Sequence, residues 1–248
     1  MRSGKLAGKV VFVQGGARGI GAAIVRLAAA EGASVAFSYV QSTEKALALQ
    51  ESIRAAGGNA MALHADSADA SAVEAVIMQT VQAWGNIDIL VNNAGVLALG
   101  HIGELSIEDF DRSYAINVRS AFVASQIASQ HMNNQGRIIH IGSVNAERVP
   151  FVGGAAYAMS KAALVGLTKA MARDLGDRGI TVNNVQPGPV DTDLNPDGSE
   201  FADELKKIMA LKRYAKEEEI ASFVMYLASP EAAFITGASL SVDGGFTA

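Results

Sequence analysis

The chain has 248 residues, half of them hydrophobic and 18% charged, with a formal net charge of −5 and no cysteine. This composition supports a sizeable core, excludes disulfides and thiolate metal sites, and speaks against both wholesale disorder and a general nucleic-acid binder. The basic N-terminal residues lead into no long apolar run or cleavage-like site, and no stretch reaches about 18 uninterrupted apolar residues, so a soluble cytoplasmic protein is expected.

In chain order, residues 10–13 read as a short buried strand ending in glycines, and residues 20–30 place Ile20, Ile24, Leu27 and Ala28 on one helical face. A strand is expected at 34–39, a helix at about 43–56, a strand at 60–64, a helix at 70–84 and a strand at 87–91. A long helix is expected over 106–132, broken once near Asn117, then a strand at 137–141, a helix at 155–175 and a strand at 180–185. Residues 188–214, with Pro189, Pro196 and Gly198, read as irregular; a helix over 217–227 with an acidic first turn and a strand at 239–242 close the chain. Seven strands alternating with helices predict one α/β domain, a doubly wound parallel sheet with helices on both faces. No repeat, linker or low-complexity tract divides it.

Gly15, Gly19 and Gly21 follow the first strand and open the first helix. Glycines there permit a tight turn, and the helix N-terminus offers free N–H groups to phosphates. A carboxylate after the second strand would bind ribose hydroxyls, but Ser38, Tyr39, Val40 and Gln41 supply none. Arg18, inside the glycine loop, can meet a 2′-phosphate. The expected cofactor is therefore NADP(H).

Tyr157 and Lys161 are four residues apart, on one helix face. That spacing is unspecific alone, but Ser143 and the run Asn92–Gly95 both sit at strand ends, where parallel sheets bind ligands, and Asn117 lies in the long helix. Taken with Asp66 after the third strand and Pro187-Gly188, the chain resembles the classical short-chain dehydrogenase/reductase family over essentially its whole length, in the branch of 3-oxoacyl-carrier-protein reductases and carbonyl reductases. The resemblance implies a single-domain Rossmann fold, with a nucleotide-binding half at about 1–100, a catalytic half at about 101–248 and a mobile substrate loop at about 189–214. It implies Tyr157 as general acid, Lys161 as a cation that, together with the positive charge of the oxidised nicotinamide, favours the Tyr157 phenolate and that also holds the nicotinamide ribose, Ser143 as partner of the substrate oxygen, and Asn117 as anchor of a water that passes protons to Lys161. Cofactor contacts are expected from Gly15, Arg18, Gly19, Ile20, Gly21, Ser38, Tyr39, Asp66, Ser67, Asn93, Ala94, Gly95, Tyr157, Lys161, Pro187, Gly188, Val190 and Thr192. A homotetramer or homodimer is implied, with the last helix and strand at a two-fold interface.

Asn145, Glu147, Phe151 and Val152 are the expected substrate residues. The helix before the fifth strand ends without Lys or Arg, so an acidic acyl carrier has little to dock on except Arg173 and Arg178. NADPH-dependent reduction of free ketones or β-keto esters is thus favoured over a carrier-linked 3-oxoacyl substrate. A regulatory protein that binds a nucleotide ligand such as a cyclic dinucleotide is the alternative from another class. His64, His101, His131 and His140 show no metal-ligand spacing, and no metal is expected. Gln14 stands where the family usually has Thr; its amide is expected to tie the end of the first strand to the strand carrying Asn92, rather than stay unsatisfied.

Overall fold

A computed structural model describes residues 4–248, so Met1, Arg2 and Ser3 of the basic N-terminal stretch lie outside the described residues. Seven strands, β1 (Val10–Gln14), β2 (Ser34–Tyr39), β3 (Asn59–His64), β4 (Ile87–Asn92), β5 (Met132–Ile141), β6 (Thr181–Pro187) and β7 (Ser239–Val242), form one parallel sheet in the order β3-β2-β1-β4-β5-β6-β7. The central strands are apolar on consecutive residues because both faces are covered. Val11, Val13, Ile89, Val91, Ile139 and Ile141 pack on one side, with α1 (Gly19–Ala30), α2 (Thr43–Ala55) and α8 (Glu217–Ala228). Phe12, Leu90, Ile138 and Val182 pack on the other, with α3 (Ala70–Trp84), α5 (Ser120–Gln130) and α6 (Ala155–Leu175). The order reverses direction between β1 and β4, and a cleft opens beyond the C-terminal ends there.

Three local features depart from the pattern read in the sequence. The break near Asn117 is a π-helical turn, Ala115–Arg119, between α4 (Ile107–Tyr114) and α5. β5 begins at Met132, earlier than expected: Met132 pairs with Ile87, the register then shifts, and pairing resumes at Ile89 with Arg137. The intervening polar residues carry no apolar signal, and Gln135 adopts φ 64°. The stretch 188–214, expected to be irregular, contains α7 (Glu200–Ile208). The prolines and glycine all precede its cap: Ser199 Oγ accepts from the Ala202 N–H at 3.1 Å, while Lys206 and Lys207 lie in the last turn. Among the described residues, no helix is long and apolar enough to cross a membrane.

Candidate active site

The glycine loop leaves the end of β1 and turns under the loop that follows β4. Gly15 has φ 73°, and a Cβ there would lie 2.9 Å from the Ala94 Cα. The loop is held on both sides: Gly15 N donates to Ser38 Oγ at 3.0 Å, and Asn93 Nδ2 donates to the Gly15 carbonyl at 2.7 Å. Gly21 is required for close approach, since a Cβ would fall 2.2 Å from the Gly15 oxygen. Arg18 is the N-cap of α1 and its side chain caps nothing, which leaves first-turn N–H groups facing the cleft.

Gln14 does not make the tie expected of it. Its backbone pairs with Asn92, but strand alternation turns its side chain to the Phe12 side of the sheet, against α5. There Ser120 Oγ donates to Gln14 Oε1 at 3.4 Å, and the buried Nε2 has no partner. The strand ends are joined by Asn93 instead. Gln14 begins a polar row in register across the sheet: Gln14, Asn92, His140, Asn184 and Ser239. Asn92 Nδ2 donates to Ser125 Oγ at 2.9 Å and meets His140 Nδ1 at 3.1 Å, while Asn184 Nδ2 donates to Ser239 Oγ at 3.2 Å. His140 is fully enclosed, and burial, with Lys161 nearby, pushes its pKa down to about 4.

Ser143 follows β5, and its Oγ accepts from the Asn145 N–H at 3.1 Å and reaches Asn145 Oδ1 at 3.3 Å. Tyr157 lies in the first turn of α6 and Lys161 one turn later. Lys161 is 4% exposed; its ammonium donates to the Ile141 carbonyl at 2.9 Å and stands 5.7 Å from the centre of the Tyr157 ring. Asn117 lies behind this group. Its Oδ1 accepts from the Val96 N–H at 2.8 Å, and its Nδ2 donates to the Val96 carbonyl at 3.0 Å and to Ser160 Oγ at 2.9 Å. Its amide thus clamps the loop after β4 to α6. Gly95 passes between, so that a Cβ there would sit 3.4 Å from Asn117 Oδ1 and 3.5 Å from Lys161 Nζ.

Burial pushes the Tyr157 phenol up, and its hydrogen bond with Ser143 opposes this only in part. Burial also brings Lys161 down to about 8. Tyr157 is therefore a neutral acid near pH 7.

The cleft holds about 420 Å³. Of the residues expected at the cofactor, Gly15, Arg18, Gly19, Ile20, Ser38, Tyr39, Asp66, Ser67, Asn93, Ala94, Gly95, Tyr157, Lys161, Pro187, Gly188, Val190 and Thr192 line it, as do Ser143, Asn145 and Phe151. Gly21 and Asn117 do not line it and act from behind, through the packing and hydrogen bonds above. Glu147, at the end of the 3-10 turn Val144–Ala146, and Val152, 74% exposed, lie outside the lining. Beside Phe151, the apolar lining comes from Leu194, Phe201 and Leu205 of the expected substrate loop and from Leu97, Leu99 and Phe246, which the sequence did not single out. Phe201 meets Phe151 edge to face at 5.6 Å between centroids, which joins α7 to the loop after Ser143. The i, i+4 spacing of Phe201 and Leu205 was the available signal for this wall. Among the described residues, no cluster of His, Asp or Glu could hold a metal.

A family model described as enoyl-(acyl carrier protein) reductase matches residues 15–247. The chain is 46% identical to the cyclic-di-GMP-binding biofilm dispersal mediator protein of Escherichia coli, with 99% of this chain and 100% of that protein covered. It superposes on a short-chain dehydrogenase/reductase from Serratia marcescens with a TM-score of 0.97 at 65% identity, covering 98% of this chain and 100% of that one. A short-chain dehydrogenase from Burkholderia cenocepacia, solved in complex with NADP, superposes with a TM-score of 0.97 at 47% identity and the same coverage.

Proposed function

The chain belongs to the short-chain dehydrogenase/reductase family, and we propose that within it the protein is an NADPH-dependent carbonyl reductase acting on free, apolar ketones or β-keto esters. The observation that carries this reading is the convergence of Ser143, Tyr157 and Lys161 on a cleft whose far end is apolar. The residues fit the cofactor: the turn at Gly15, the uncapped start of α1 and the closeness of Gly95 to Lys161 form a cradle that added side chains would fill. Arg18, with no carboxylate between Ser38 and Gln41, favours the 2′-phosphorylated form. Bound there, the reduced nicotinamide supplies hydride to the carbonyl carbon.

The chain's own groups do the remaining work. Tyr157, held neutral by burial, donates its proton to the carbonyl oxygen as negative charge develops. Ser143 is tied to Asn145 only at 3.3 Å through its proton, so its hydroxyl is free to turn and donate to the same oxygen. Lys161, cationic below about pH 8, faces the phenolate left on Tyr157 and stabilises it. Asn117 keeps the loop after β4 and α6 in register. Hydride transfer is reversible, and alcohol oxidation needs the deprotonated phenol. The fully exposed Phe234, shortly before β7, and the half-exposed Tyr226 in α8 support a homotetramer or homodimer formed through the last helix and strand.

A carrier-linked 3-oxoacyl substrate is less well supported. Arg178 is committed to the fold rather than free for docking: it donates to the Ser129 carbonyl at 2.6 Å. A second reading, in which the cleft binds a cyclic dinucleotide, rests on the named property of the E. coli relative. Both are tested by following NADPH consumption with a panel of ketones, free and carrier-bound thioesters, and a cyclic dinucleotide as competitor. Tyr157→Phe is expected to lower ketone reduction by about 10²–10⁴-fold while NADPH still binds. Retained turnover in that variant overturns the assignment.

A further inference from the structure

Besides Arg18, Arg112 and Lys161, which line the cleft, one further cation is tied to its wall and was not singled out by the spacing of motifs. Lys45 lies in the first turn of α2, just beyond Gln41 and Ser42, which line the cleft. Its ammonium donates to Asp193 Oδ2 at 2.6 Å. Asp193 belongs to the segment after β6, between Thr192 and Leu194, and itself lines the cleft. The pair thus links the two walls of the cleft across 148 residues of sequence. Arg18 also acts on Asp193, so that both cations hold the carboxylate well into its ionised form. Arg18 itself forms no ion pair among the described residues. The loop around Asp193 is already negative: burial, Glu218, Asp193 and Asp191 all push the Glu217 carboxyl up.

An anion that lines the same cleft as Arg18 is therefore held by Lys45, close after the end of β2, where the adenosine side of a dinucleotide is recognised. We propose that Asp193 is an internal stand-in for the 2′-phosphate of NADP(H), and that Lys45 leaves it to become, with Arg18, the second cation of the 2′-phosphate site. This rests on the NADP(H) reading above. The exchange is chemically favourable. The Lys45–Asp193 pair is exposed on both sides, and such pairs hold weakly. A phosphate monoester brings nearly two charges and three acceptor oxygens. While Asp193 stays in place it also repels the incoming phosphate. Its release makes the segment that carries Thr192 and Leu194 respond to the 2′-phosphate and not to the rest of the nucleotide.

The test uses the full chain and calorimetric binding of adenosine 2′,5′-bisphosphate against 5′-AMP, which differ only in the 2′-phosphate. Lys45→Ala is expected to weaken the bisphosphate by about tenfold or more, with 5′-AMP unchanged and Lys45→Arg retaining most of the preference. Asp193→Asn is expected to strengthen the bisphosphate by about threefold or more, again without moving 5′-AMP. If Arg18→Ala removes the preference while Lys45→Ala and Asp193→Asn leave it intact, this inference falls and the cofactor reading stands. If the unaltered protein binds the two nucleotides equally, both fall.

Discussion

His140 gives the sharpest consequence of the buried polar row. Its imidazole is wholly enclosed beside Asn92 and near the Lys161 ammonium, and burial first, then that charge, holds its pKa at about 4 instead of 6.5. Between these values the unfolded chain binds a proton that the folded one refuses. The stability contributed by neutral His140 is therefore complete above about pH 6.5 and is lost as the pH falls towards 4. The full difference corresponds to about 3 kcal/mol, a large fraction of a typical folding free energy. His140→Asn keeps a polar group against Asn92 but removes the titration. Urea unfolding followed through the single tryptophan, Trp84, is to be compared for the two proteins at several pH values. Carboxylates common to both cancel in the comparison, so the wild-type protein is expected to lose about 3 kcal/mol more than the variant between neutrality and pH 4. Parallel acid profiles refute the reasoning, as does an NMR titration of His140 near its free value.

Two substitutions test the glycine loop and its neighbour. Gln14→Leu removes a buried amide whose nitrogen has no partner, while Ser120 Oγ keeps its bond to the Ile116 carbonyl at 2.5 Å. The variant is expected to stay within about 1 kcal/mol of the parent, or above it, with ketone turnover little changed; a loss beyond about 2 kcal/mol in denaturant melts shows that the amide is satisfied and structural. Gly21→Ala drives a methyl to 2.2 Å from the Gly15 oxygen and 2.5 Å from Asn93 Nδ2. It is expected to cost about 2 kcal/mol or more and to abolish the rise in melting temperature on adding NADPH; an undisturbed melt with normal NADPH protection contradicts the packing argument.

The order of the elements, the glycine turn and the placement of Tyr157 and Lys161 on one face were legible in the sequence. They depend on local periodicity, on the conformational freedom of glycine, and on the 3.6-residue repeat of the helix. The break at Asn117 was visible as an interruption, but not its π geometry or the clamp that Asn117 makes on Val96 and Ser160, which are 21 and 43 residues away. α7 was hidden by the prolines and glycine that come just before it, although its cap and charge pattern were present.

What only the tertiary structure decided are the features set by which surfaces meet. Alternation fixes the side of β1 on which Gln14 emerges, but the crossovers determine that α5 covers that side and offers Ser120, leaving Nε2 alone. The helix repeat put Lys161 on the face of Tyr157, but did not tell how deeply either group is enclosed. Packing buries Lys161 almost wholly and Tyr157 in part, and this shifts the Lys161 pKa down and the Tyr157 pKa up. The apolar wall of Phe201 with Phe151, and the Lys45–Asp193 pair across the cleft mouth, join segments far apart in the chain. Local sequence records the secondary structure and the chemistry each residue can offer; burial and long-range neighbours, which exist only after the sheet is assembled, decide which of those offers is taken up.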